Sequence, residues 1–165
     1  MIIKSGRDEF PGLAINEFLC MSVAKEVGIP VPEFYLSDNA KLFVMRRFDR
    51  DGQLNPIGFE DMAALMGLSA QQKYSKSYAA IATTAYIPED VLALDLGGNK
   101  SLFASRQGLM DFAVTCDVAR PKEIICEQLQ ALEQVLARSA ELCEQAPDVV
   151  RAIRQSAGPF ISTFG

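Results

Sequence analysis

The chain has 165 residues, of which 49% are hydrophobic and 22% charged, and its formal net charge at pH 7 is −5. This composition is typical of a globular protein with one core or two small lobes, and it excludes an intrinsically disordered chain. The acidic charge argues against autonomous nucleic-acid binding, and no apolar run is long enough to form a membrane helix.

The first part of the chain, to about Phe59, predicts a small sheet and one helix. Residues 1–4 are typical of the end of a strand, and a loop follows over residues 6–12. Apolar residues then recur at helical spacing over residues 13–27, and Gly28 provides the stop. Strands are predicted at residues 34–36 and 42–45 around a hairpin turn. The second strand is expected to extend through residues 46–50 to an Asp51-Gly52 turn.

The middle part predicts short helices and a hairpin. Residues 59–66 favour a helix that ends at Gly67, and residues 76–82 begin another that Thr83-Thr84 and Pro88 interrupt. A hairpin is predicted near 91–103, because two apolar segments flank the turn sequence at residues 97–100.

The last part predicts helices. Ser105 is placed to cap a helix that ends near Cys116, and Pro147 opens a last helix that ends at Gly158. Between them, Pro121 suits the first turn of a long helix. Its predicted apolar face consists of Ile124, Ile125, Leu129, Leu132, Val135, Leu136 and Leu142.

The four cysteines are spaced far apart. None forms a Cys-x-x-Cys pair, and the sequence contains no His, so a zinc site is not expected. Each lies in an apolar helical pattern, which predicts a buried and reduced side chain. These residues are Cys20, Cys116, Cys126 and Cys143. The N-terminus also lacks the long apolar segment of a signal peptide, and we therefore expect a cytoplasmic location.

An ordered set of short segments resembles the ATP-binding half of HipA-type serine/threonine kinases. The set comprises Phe10–Phe18 with its Asn16-Glu17 pair, Cys20-Met21, Ala24–Pro32, Arg47-Phe48-Asp49-Arg50, Glu60-Asp61-Met62, Gly67-Leu68 and Lys73-Tyr74. Members of that family are bacterial toxin kinases that are typically paired with a DNA-binding HipB antitoxin and phosphorylate proteins. The resemblance implies an α+β, protein-kinase-like fold. A partial N-lobe would span residues 1–59 and a shortened helical C-lobe residues 60–165.

The same resemblance implies roles for individual residues. Lys4 matches the lysine that meets the ATP phosphates, and Glu17 is its acidic partner on the helix. Arg46, Arg47 and Phe48 fall where the family links its lobes and where backbone groups meet adenine. Alternatives in which these residues have only a structural role remain open. Lys4 is then a solvated lysine, the Asn-Glu pair orients backbone, and the arginines belong to a strand end with a local Asp49–Arg50 ion pair.

The family's catalytic machinery is absent from the sequence. HipA-type kinases carry a Gly-Asp-x-His-x-x-Asn-like loop and a following Asp-containing strand, which supply the catalytic base and the magnesium ligands. The remaining acids match neither pattern; they are Asp90, Asp95, Asp111 and Asp117. The phosphate loop also lies outside this chain. We therefore predict no catalytic residue, no metal site, and weak binding of ATP and Mg²⁺.

Two explanations fit the junction at Ala82–Thr83. Either the gene lacks the intervening segment, or the chain omits residues of a longer parent, and an intact-mass measurement separates them. Two functions follow. One is a fragmentary or internally deleted kinase without activity, and the other is a binding remnant that associates with a HipB-like antitoxin or a partner subunit. We also expect self-association through apolar surface near Tyr78, Ile81, Tyr86 and Ile87.

Overall fold

The structure, a computed structural model, describes residues 1–6, 10–58 and 105–165. Several predictions from sequence lie outside these residues. They are the helix at 59–66, the helical start at 76–82, the hairpin near 91–103, the junction at 82–83, the lobe boundary after residue 59 and the apolar surface near Tyr78, Ile81, Tyr86 and Ile87. The described residues form a mixed α/β structure with a three-stranded sheet and a mostly helical remainder.

The sheet is antiparallel. Strands β1 (Ile2–Ser5) and β2 (Phe34–Leu36) both pair with the central strand β3 (Leu42–Met45), which gives the order β1-β3-β2. The register places Lys4 opposite Phe43 and Tyr35 opposite Val44. The predicted strands and the hairpin turn between them are therefore confirmed.

Strand β3 ends earlier than the sequence predicted. Met45 pairs with Ile2 on one side and with Phe34 on the other, and these are the first residues of the neighbouring strands. Beyond Met45 the ladder has no further strand residues to pair with. Only the Arg46 amide continues it, by donating to the Glu33 carbonyl at 2.8 Å. The extension to Arg50 is therefore wrong.

Helix α1 (Leu13–Glu26) lies between the sheet and the C-terminal helices. Gly28 follows it with a φ of 80°, as a glycine stop requires. One side of α1 places Ala14 against Phe43 and Met45 of β3. Another side packs against the C-terminal helices. Because the helix is buried on two sides, its apolar and polar residues are not separated onto opposite faces.

The C-terminal part contains α2 (Ser105–Thr115), α3 (Pro121–Arg138), α4 (Ala140–Gln145) and α5 (Pro147–Phe164). Two predicted boundaries are wrong. Helix α3 ends at Arg138, because the backbone of Ser139 leaves helical geometry with a φ of −105° and a ψ of 27°, so Leu142 lies on a separate short helix.

Helix α5 does not stop at Gly158. It continues through Pro159 to Phe164, and contacts with two other helices hold its last turn. Thr163 accepts a hydrogen bond from Arg106 of α2, and the Phe164 carbonyl accepts one from Cys126 of α3. In the parts that the structure describes, no helix is long and apolar enough to cross a lipid bilayer.

A core between α1 and the helical layer joins the two halves of the described structure. It consists of Ile15, Leu19, Val135, Leu136, Ala146, Val149 and Ile153. Leu36 of β2 packs against this cluster and also against the cluster between α1 and the sheet. The sheet, α1 and the C-terminal helices therefore form three successive layers.

Candidate functional site

Lys4 and Glu17 form an ion pair between β1 and α1. Lys4 lies on the sheet face that α1 covers, and its Nζ donates to Glu17 Oε1 at 2.8 Å. The side chains are 43% and 27% exposed. An ion pair with this exposure contributes about 0–1 kcal/mol to stability. The pair thus fixes a positive charge at the edge of the sheet without being an important source of stability.

Asn16, next to Glu17, is buried. Its Oδ1 accepts a weak hydrogen bond from the Cys20 thiol at 3.7 Å, and its Nδ2 has no hydrogen-bond partner among the residues that the structure describes. A buried amide nitrogen without a partner costs about 1–3 kcal/mol. Burial, assisted by the charge of Glu17, raises the pKa of the Cys20 thiol to about 11. The two adjacent residues therefore differ in role, since Asn16 faces the interior while Glu17 contacts Lys4.

The Arg46–Phe48 segment follows β3. Arg46 makes a loose contact with Glu33, with Nη1 at 3.7 Å from Oε2 and both side chains largely exposed. Arg47 binds Asp49 with two parallel hydrogen bonds, one of them from Nε to Oδ1 at 2.7 Å. Phe48 is 46% exposed. Arg46, Arg47 and Phe48 are all exposed, so this segment is accessible.

Asp49 pairs mainly with Arg47, and this differs from the Asp49–Arg50 pair considered from sequence. Arg50 Nε lies 3.8 Å from the Asp49 carboxylate, a longer contact than either bond from Arg47. The hydrogen bonds from Arg47 lower the pKa of Asp49 to about 2. The sequence analysis considered an Asp49–Arg50 pair and did not predict this pairing with Arg47.

The structure brings only two of the five candidate residues together. Lys4 and Glu17 are in contact, whereas Arg46 lies three residues beyond Phe43, the partner of Lys4 in the sheet. Three extended residues span about 10 Å, which separates the two groups along the sheet. Among the described residues, no group of three or more Cys, Asp or Glu side chains is placed to bind a metal ion.

Two further residues have structural features that the sequence did not predict. Gly12, at the start of α1, has a φ of 77° and closely approaches Val149 and Ala146. Cys116 is exposed, so the predicted burial of all four cysteines is wrong for this residue; the others are half-buried. Cys116 follows the last turn of α2, whose neighbours Phe112 and Val114 are also exposed.

Comparison with known proteins identifies the family. The family model of the HipA-like C-terminal domain matches residues 1–90 of the chain. A protein of Haemophilus influenzae named "Putative kinase" is 39% identical over 82 residues, and "Putative kinase Y4dM" of Sinorhizobium fredii is 28% identical over 89. Each alignment covers 46% of this chain, but only 23% and 22% of the two relatives. Because the family model covers more than half of the chain, the protein belongs to the HipA-like C-terminal domain family.

Proposed function

We propose that the chain is the nucleotide-binding side of a HipA-type serine/threonine protein kinase toxin, with a protein-kinase-like fold and a cytoplasmic location. The observation that carries the proposal is the Lys4–Glu17 contact of 2.8 Å between β1 and α1. Phosphoryl transfer depends on placing positive charge beside phosphates, and protein kinases hold such a lysine with a helix glutamate. Membership of the HipA family supports the same assignment.

The proposed ligand is ATP with Mg²⁺. Lys4 would contact its phosphates, and the backbone of Arg46, Arg47 and Phe48 would meet the adenine. The two groups lie about 10 Å apart along the sheet, a span comparable with the length of a nucleotide from base to phosphate. Glu17 would orient the Lys4 ammonium rather than contact the nucleotide.

We propose further that this chain does not transfer phosphate by itself. Its sequence contains no His and no Gly-Asp-x-His-x-x-Asn-like loop, so the base and the magnesium ligands of the family have no counterpart. Incubation with Mg²⁺ and ATP should leave the intact mass unchanged. Phosphorylation of this chain in that assay would contradict the proposed inactivity, but not the nucleotide site.

The nucleotide site is tested by titrating the ¹⁵N-labelled chain with Mg²⁺-ATP. We expect a Kd near or above ~1 mM, about −4 kcal/mol, because the family's magnesium ligands have no counterpart in the sequence. Lys4→Met should weaken binding at least ~5-fold, since a charge-assisted contact contributes more than 1 kcal/mol. Lys41→Met, which removes a lysine from the turn between β2 and β3, is the matched control. Equal affinities for wild type and Lys4→Met would exclude the proposed role of Lys4.

A second candidate function is a non-catalytic subunit that binds a HipB-like antitoxin. The observation in its favour is the sheet face opposite α1, where Ile3, Tyr35 and Leu42 are 63%, 55% and 39% exposed. Exposed apolar residues that adjoin on one face are typical of binding surfaces. We expect Ile3→Ser and Tyr35→Ser to weaken antitoxin binding at least tenfold, with Asp38→Ser in the nearby turn as control. Unchanged affinity in both variants would exclude this face.

A further inference from the structure

Helix α1, which carries Glu17, packs against the C-terminal helices on a side that does not face the sheet. Ile15 and Leu19 of α1 pack against Val135 and Leu136 of α3 and against Val149 of α5. Ile15 lies two residues before Glu17, and Leu19 lies two residues after it. If these apolar side chains shift, the backbone of α1 between them shifts as well, and the Glu17 carboxylate moves with it.

The start of α1 lies close to the start of α5. Gly12 is the N-cap of α1, and a Cβ placed on it would lie 3.0 Å from Val149 Cγ2 and 3.3 Å from Ala146 Cβ. Carbon atoms in contact are normally 3.5–4.0 Å apart. Val149 and Ala146 are both buried, so neither can move into solvent to relieve such a contact.

The end of α1 has its own connection to the helical layer. Arg138, the last residue of α3, donates to the Glu26 carboxylate at 2.6 Å. Helix α1 is thus connected at its start to α5, in its middle to both helices and at its end to α3.

From these contacts we infer that α3 and α5 position α1 and thereby set the contact between Glu17 and Lys4, and that Gly12 is a positioning residue for this pair. The role of the Lys4–Glu17 pair in nucleotide binding rests on the proposed function. The effect of Gly12 on the geometry of the pair does not. A larger residue at position 12 pushes the first turns of α1 away from Val149. Glu17, just over one helical turn from Gly12, moves with them.

The chain provides a matched control. Gly28 has a φ of 80°, close to the 77° of Gly12, but a Cβ placed on it would meet no atom of the described residues within 4 Å. Gly12→Ala and Gly28→Ala therefore introduce similar backbone strain at the two ends of α1. Only the first introduces a contact with α5.

The test follows the ¹³C signal of the Glu17 carboxylate by NMR at neutral pH, without nucleotide. Lys4→Met gives the position of this signal when the pair is broken. We expect Gly12→Ala to move the signal at least half of the way from the wild-type position to the Lys4→Met position. Gly28→Ala should leave it within a tenth of that range.

A wild-type position in Gly12→Ala, or an equal shift in Gly28→Ala, would overturn the inference. If Gly12→Ala does not fold, Ala146→Val tests the same contact from the opposite side, with the same expected shift and the same contradicting outcome. The measurement uses no nucleotide. A wild-type chain that fails to bind ATP would therefore contradict the proposed function and leave this inference standing.

Discussion

At the scale of single residues, Asp49 forms a local ion pair in the segment that follows β3. Arg47 reaches forward across one residue to bind both oxygens of the Asp49 carboxylate. Two parallel bonds to a carboxylate are stronger than neutral hydrogen bonds and fix the geometry of both side chains. The arrangement directs the Arg47 guanidinium to its neighbour rather than to a more distant ligand.

This pairing predicts the titration of Asp49. The Arg47 hydrogen bonds lower the folded-state pKa from an ordinary 3.8 to about 2. Because that pKa is lowered, the carboxylate stabilises the fold fully above about pH 4. The contribution is lost as the pH falls from about 4 through about 2. NMR titration of the Asp49 carboxyl should give a midpoint near 2 in the wild type.

Arg47→Gln should return the Asp49 midpoint toward the ordinary value. Asp51 is the internal control, because hydrogen bonds from Asn55 and Gln53, not from Arg47, lower its pKa. Its titration should be unchanged in Arg47→Gln. An unaltered Asp49 midpoint in that variant would mean that Arg47 is not the cause.

At the scale of elements, periodicity and turn residues predicted β1, β2, β3 and α1 closely. The errors all concern ends. The end of β3 depends on where its neighbours begin, and the length of α5 depends on contacts with α2 and α3. A local pattern contains neither kind of information, so the sequence predicts an end at Gly158 although the helix continues to Phe164.

Pro159 should therefore limit the stability of α5. Its nitrogen has no hydrogen to donate, and an interior proline costs a helix about 3 kcal/mol. We expect Pro159→Ala to raise the free energy of unfolding by about 1–2 kcal/mol, the gain being reduced by the entropy of the unfolded chain. Urea denaturation measures the change.

Pro147 is the control for this substitution, because it lies at the first position of α5, where its missing N–H costs nothing. Pro147→Ala should lower the free energy of unfolding by about 0.5–1 kcal/mol. The two prolines should thus give changes of opposite sign. A decrease for both would show that Pro159 does not strain the helix.

At the scale of the whole molecule, two apolar clusters share α1, and Leu36 contacts both. The sheet and the C-terminal helices are therefore expected to unfold together. The family resemblance named Lys4 and Glu17 as candidates, of which Glu17 lies in the matching segment Phe10–Phe18, and the structure places the two side chains in contact. The resemblance could not predict the layer on the far side of α1, since contacts such as Glu26–Arg138 join residues 112 positions apart.

Leu19 tests this coupling, since it is 1% exposed and lies at the centre of the core between α1 and the helices. Leu19→Ala should lower the free energy of unfolding by about 2–5 kcal/mol. Hydrogen exchange should show a similar loss of protection in β3 and in α3. Leu42→Ala, at a 39% exposed position, is the control and should cost less. A loss of hydrogen-exchange protection that is confined to the helices would mean that the sheet and the C-terminal helices unfold separately.

The position of α1 between two layers also limits which of its residues can vary. From Leu13 to Ala24 every residue is at least partly covered, and only Lys25 and Glu26 at its end are exposed. Glu26 is bound to Arg138, and Lys25 lies 5.9 Å from the centre of the Phe34 ring. A library that randomises α1 should therefore recover few tolerated substitutions before position 25. A fluorophore or affinity label on this helix has Lys25 as its most accessible attachment point.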